Sequence, residues 1–120
     1  MLPLQVETVL VLAGVVTGRA SKTKGATAER EVVAILNEHG FDVHRQPHSG
    51  ALSWAKGDVT GWPGFSVEIK RCESLRIPDW CRQAERQCAE GDVPLVIFRR
   101  SREPWRVVVP LDAFLRLVER

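Results

Sequence analysis

A chain of 120 residues builds one domain around one core, and 44% hydrophobic with 27% charged residues marks it as globular rather than fibrous or disordered. The net charge of +2 excludes a polybasic or polyacidic tail as the main determinant of its partners. Residues 1–60 hold 6 cations and 6 acids, whereas residues 61–120 hold 11 and 9, and ten of those 11 are Arg, the side chain suited to forked phosphate contacts.

The first stretch, MLPLQVETVLVLAGVVTGR, is apolar but interrupted by Gln5, Glu7 and Thr8, and no basic residue precedes the apolar run. It matches neither a signal peptide nor a membrane span, and is expected to pack on the domain or on a second copy. Thr17 to Gly25 is small, polar and basic, with Arg19, Lys22 and Lys24, as a connector is. Residues 1–23 are therefore read as an extension and basic linker, and residues 24–120 as the folded domain.

From Lys24 to His39 the apolar positions Ala28, Val32, Ile35, Leu36 and His39 recur at helical spacing, and Gly40 supplies a stop. At 100° per residue, Glu29 lies about 60° from the centre of that face and Glu31 about 100° away on the other side. Glu29 thus borders the buried face, while Arg30, Glu31 and Glu38 read as solvated. Phe41 to Arg45 alternates like a half-buried strand, and Gln46 to Lys56 is a long loop rich in turn formers.

Two short β-like runs follow, Asp58-Val59-Thr60 and Phe65 to Lys70, joined at Trp62-Pro63-Gly64. A three-residue hairpin loop there would set Asp58 opposite Glu68, with Cβ atoms roughly 5 Å apart on one face. Two opposed carboxylates repel, and burial makes the repulsion worse. A divalent cation between them reverses the sign, because hard metals take carboxylate and carbonyl oxygens. Lys70, two residues past Glu68, shares its face; Val67 and Ile69 take the other, and the Ile69 carbonyl is a further candidate ligand. The same residues would also serve as a turn cap and a surface ion pair.

Ile77 to Gly91 reads as a helix with Trp80, Ala84 and Cys88 on one stripe. Gln83 on this helix is either solvated or presented to the site. Val93 to Arg100 is a continuous apolar run, the signature of a strand covered on both faces. Pro104 to Pro110 is a further strand, and Leu111 to Val118 a closing helix with Leu111, Leu115 and Val118 on one side. The order helix, three strands, helix, two strands, helix describes an α/β chain with a central mixed sheet flanked by helices, the Glu68 strand and the strand Val93 to Arg100 being parallel across the helix 77–91 crossover. Cys72, Cys81 and Cys88 are odd in number and lack zinc spacing, which points to a reducing, cytoplasmic setting.

In order, KGATAEREVVAILNEHGFDVHR, HSG, GDV and VEIK closely resemble the archaeal-type Holliday junction resolvases, also found in viruses, of the PD-(D/E)xK nuclease superfamily. The resemblance spans roughly Lys24 to Gly91. It implies a restriction-endonuclease-like fold and a homodimer that cuts four-way DNA junctions in recombination and repair with Mg²⁺, or Mn²⁺ as substitute. It implies Glu29, Asp58 and Glu68 as acids at the metal, Lys70 as the catalytic lysine and Ser49 as a loop serine near the scissile phosphate. Ser49 stands further from Asp58 than the family serine does from its acid, which leaves Ser53 as a rival, and the N-terminal extension has no family counterpart. Phosphate contacts are expected from Lys22, Lys24, Arg45, Lys56, Arg71 and Arg76. Rival expectations are a nuclease of the same fold acting on flaps, single strands or duplex, and a DNA-binding protein whose site has decayed.

Overall fold

The computed structural model describes residues 18–46 and 57–119, with side chains from Gly25 onward. The N-terminal stretch, Ser49, Ser53, Lys56, His48 and Trp54 lie outside the described residues, as do the side chains of Lys22 and Lys24.

Helix α1 spans Gly18–Glu38, so six residues expected in a connector are helical. Ala20, Ser21, Lys22 and Lys24 are tolerated in helices, and Gly25 alone costs about 1 kcal/mol. Ala28 and Val32 are buried, with Val33 and Leu36 packed beside them. His39, expected on that face, is exposed instead, its Nδ1 lying 2.8 Å from the Ile35 carbonyl oxygen at the helix end.

The strand expected over Phe41 to Arg45 is reduced to β1, His44–Arg45. Upstream, the Asn37 side chain takes the place of a neighbouring strand: its Oδ1 accepts from the Val43 amide at 3.0 Å and its Nδ2 donates to the Val43 carbonyl at 3.2 Å. β1 pairs antiparallel with β2, Val59–Thr60. β2 therefore forms no ladder with β3, Phe65–Arg71, which corrects the expected hairpin. The joint is a four-residue turn in which Phe65 N donates to the Trp62 carbonyl at 3.2 Å. Pro63 and Gly64, the latter at φ 87, hold the two central positions in the manner of a type II turn.

β3 runs parallel to β4, Val93–Arg99, as the crossover length predicted, and β4 pairs antiparallel with β5, Arg106–Val108. The connecting helix α2 spans Ile77–Arg86 and stops before Gly91, leaving Cys88 beyond its end. The chain turns early because Ser66 Oγ draws it back, accepting from the Ala89 amide at 3.1 Å and donating to Asp92 at 2.9 Å. The sheet has two covered faces. Val67, Ile69, Leu95 and Ile97 pack with α1, whereas Val96 and Phe98 pack with Trp80 and Ala84 of α2. Helix α3, Leu111–Val118, turns only Ala113 fully inward. Its stripe of Leu111, Leu115 and Val118 is exposed, so that apolar side faces away from this chain's core. The result is a small single-domain α/β fold with helices flanking a mixed sheet. Among the described residues no helix is long and apolar enough to cross a membrane.

Candidate active site

Asp58 reaches the sheet because Gly57 precedes it. A Cβ at Gly57 would meet the Val67 carbonyl oxygen at 2.7 Å, and its φ of 75 is strained for any L side chain, so the close approach requires glycine. Past that point the Asp58 amide donates to the Val67 carbonyl at 2.7 Å, and Asp58 Oδ2 accepts from the Ile69 amide at 2.7 Å. The expected cross-strand opposition of Asp58 and Glu68 becomes a side-on clamp: Asp58 grips the outer edge of β3 on both sides of Glu68. Amide and carbonyl of one strand residue point the same way. The Ile69 carbonyl therefore faces the edge that Asp58 occupies.

Three acids are buried around this edge: Glu29 at 8% exposure, Asp58 at 7% and Glu68 at 3%. Burial pushes the Glu68 carboxyl from 4.5 up to about 8; the Asp58 charge adds to the rise, Lys70 opposes it and Glu29 adds again. None of the described residues donates a hydrogen bond to the Glu68 carboxylate. Lys70 leaves the strand on the α2 side, where its Nζ donates to Gln83 Oε1 at 2.8 Å. Gln83 is thus turned to the site, the question its sequence position had left open.

Glu29 is engaged elsewhere. Arg45 donates to its Oε1 from Nε at 3.1 Å and from Nη2 at 3.0 Å, so a side chain expected on phosphate and an acid expected on metal are paired with each other here. Arg71 is half-buried at the end of β3, and Arg76 is exposed with Asp79 at 3.8 Å. Glu31, read as solvated, binds Arg99 at 3.2 Å across the sheet end. No sequence signal marks that pair, since 68 residues separate its members.

A divalent cation suits this donor type: oxygen acids, one of them deeply buried with no donor among the described residues and raised by the charge of a second carboxylate. Among the described residues no three His, Cys, Asp or Glu side chains stand together as a metal-holding group. The fit is carried first by Asp58 and Glu68, with Glu29 Oε1 bound to Arg45. A cavity of about 160 Å³ lies apart from these acids, between α2, β4 and β5, lined by Cys81, Ala84, Val96 and Val108.

A family model described as phage putative PDDEXK endonuclease matches residues 20–119, most of the chain. The description carries the nuclease superfamily to which the motifs pointed and says nothing of four-way junctions. No curated protein matches the chain.

Proposed function

Because the chain belongs to the phage PDDEXK endonuclease family, a nuclease family of the PD-(D/E)xK superfamily, we propose that it is a metal-dependent endonuclease that resolves four-way DNA junctions by phosphodiester hydrolysis. The observation that carries the nuclease reading is the Glu68 carboxyl, buried at 3% exposure between the Asp58 clamp and the Lys70 ammonium, where stability alone favours an apolar side chain. The junction preference draws its support from the motif order through Glu29, Ser49, Asp58, Glu68 and Lys70.

Asp58 and Glu68 would hold the cation, Mg²⁺ or Mn²⁺, with the Ile69 carbonyl on the same edge and Glu29 joining once Arg45 releases it. Such an ion supplies Lewis acidity to the phosphate and lowers the pKa of a nearby water. The rest of the chemistry falls to the protein. Gln83 fixes the Lys70 ammonium by one of its three N–H bonds and leaves two to orient a water or to meet charge growing on a phosphate oxygen. Asp58, held at both its amide and its carboxylate, keeps its position when substrate arrives. By the resemblance, Lys22, Lys24, Arg45, Lys56, Arg71 and Arg76 would contact backbone phosphates without reading sequence, and Ser49 would be the loop serine near the scissile one. Two copies would cut the two symmetric strands.

The test offers a labelled four-way junction, a flap and a linear duplex to the wild type and to Asp58→Asn, with Mg²⁺ and with chelator. Paired symmetric nicks confined to the junction are expected from the wild type in Mg²⁺ alone. Equal cutting of flap or linear duplex would replace the junction reading by a broader nuclease. Cleavage retained by Asp58→Asn would remove this site from the chemistry.

A further inference from the structure

At the far end of β3 and β4 the two parallel strands place Arg71 directly beside Arg99. The hairpin from β4 to β5 then adds Arg100, Arg102 and Arg106. Five arginines gather here against three glutamates, each already engaged: Glu31 by Arg99, Glu73 by the Ser101 amide, and Glu103 by Arg100 and Arg106.

Three features separate this cluster from an ordinary solvated surface. The Nε of Arg71, Arg99 and Arg100 is in each case buried without an acceptor, although a buried unpaired donor is costly. The guanidinium groups are also held in place, Arg99 over the Trp105 ring at 5.1 Å and Arg71 at 3.5 Å from Ser101 Oγ. Orientation of this kind reduces the entropy lost on binding an oxyanion. Finally, Glu103 N donates to the Arg100 carbonyl at 3.2 Å, closing a turn whose third residue, Arg102, has φ 65. That position favours glycine, and it is the one positive-φ position among the described residues that carries a side chain. An exposed arginine stands there at a backbone cost.

We propose that Arg99, Arg100 and Arg102 extend the phosphate contact already assigned to Arg71 into an arginine ridge, a second stretch of duplex backbone contact away from the residues at the reacting phosphate. The inference rests on the nuclease reading, and it adds where the substrate arm lies. Arg71 is three residues beyond Glu68, roughly 10 Å along the strand. That distance corresponds to about three base-pair steps of duplex from the bond to be cut. The arm would leave the acids along β3 and cross the β4–β5 hairpin.

The experiment measures binding of a fluorescent 30-base-pair duplex to the full chain in chelator, where no cleavage interferes, across a salt series. Arg102→Gly relieves the backbone and removes the charge. It should melt no lower than wild type, yet weaken Kd about three- to tenfold and lower the salt slope by roughly one. Arg102→Lys should recover part of the loss, and Arg116→Gln on α3, outside the ridge, should bind as wild type does. An Arg102→Gly protein with unchanged Kd and slope, while Asp58→Asn still abolishes cleavage, would overturn the ridge and leave the nuclease reading standing. A wild type that binds no duplex at all would bring both down.

Discussion

β3 and β4 lie side by side, parallel and in register, and differ on one face only. Towards α1 the paired residues are Val67 with Leu95 and Ile69 with Ile97, all apolar and all core. Towards α2 the partners diverge: Glu68 stands beside Val96, and Lys70 beside Phe98. β4 thus completes a second apolar cluster with Trp80 and Ala84, while β3 carries a buried acid and an ammonium across the same helix. Backbone geometry is common to both strands, so the contrast isolates what charge does there. It costs stability, and it brings an acid and an amine onto one face of the sheet.

Making β3 resemble β4 should produce the largest effect. Glu68→Leu is expected to lower metal-dependent cleavage by at least about 10³-fold in single-turnover assays while DNA binding changes little. The same protein should gain roughly 1–3 kcal/mol of stability at pH 8 in chelator, read from denaturant midpoints. A less stable, still active variant would contradict the comparison.

The converse change attacks β4. Phe98 is fully buried with its ring 5.8 Å from that of Trp80, and Phe98→Ala should cost about 3–5 kcal/mol. A cost near zero would mean that the α2 face of β4 is not the core it appears from its burial.

pH sharpens the contrast next. The folded-state pKa of Glu68 lies near 8, above its ordinary 4.5, so the folded chain keeps a proton that the unfolded chain releases. The associated stability is fully present below about pH 4.5 and is lost as pH rises through about 8. Metal-free wild type should therefore lose about 1–3 kcal/mol relative to Glu68→Gln between pH 5 and pH 8.5, and parallel stability curves would refute the buried carboxyl.

The smallest expected effect concerns Gln83. Gln83→Leu deprives the Lys70 ammonium of its acceptor, and cleavage should fall roughly tenfold in kcat with little change in KM. Gln83→Glu, which keeps an acceptor, should retain more activity than Gln83→Leu. Equal losses in both would reduce Gln83 to a packing residue.

Much of this architecture is legible in local pattern. The apolar run of β4, the spacing along α1, Pro63-Gly64 at the turn and the Glu68-x-Lys70 alternation each report where water is excluded and which way a side chain points. Element order and the parallel crossover follow from those signals. The misread parts are those in which a side chain replaced a backbone partner. Asn37 satisfied Val43 and shortened β1; the Asp58 carboxylate took the Ile69 amide, and the hairpin ladder was not formed. α3 shows another limit, since periodicity identifies an apolar stripe without saying whether this chain or something else covers it.

The sequence by itself determined which residues carry charge into the sheet, because strand alternation and glycine-dependent approach are local properties of the chain. Only the tertiary structure decided which charges meet: Arg45 on Glu29, Arg99 on Glu31, Lys70 on Gln83. Coulomb and hydrogen-bond partners are chosen by distance in space, and residues 13 to 68 positions apart become neighbours only when the sheet and its two helices close around one core.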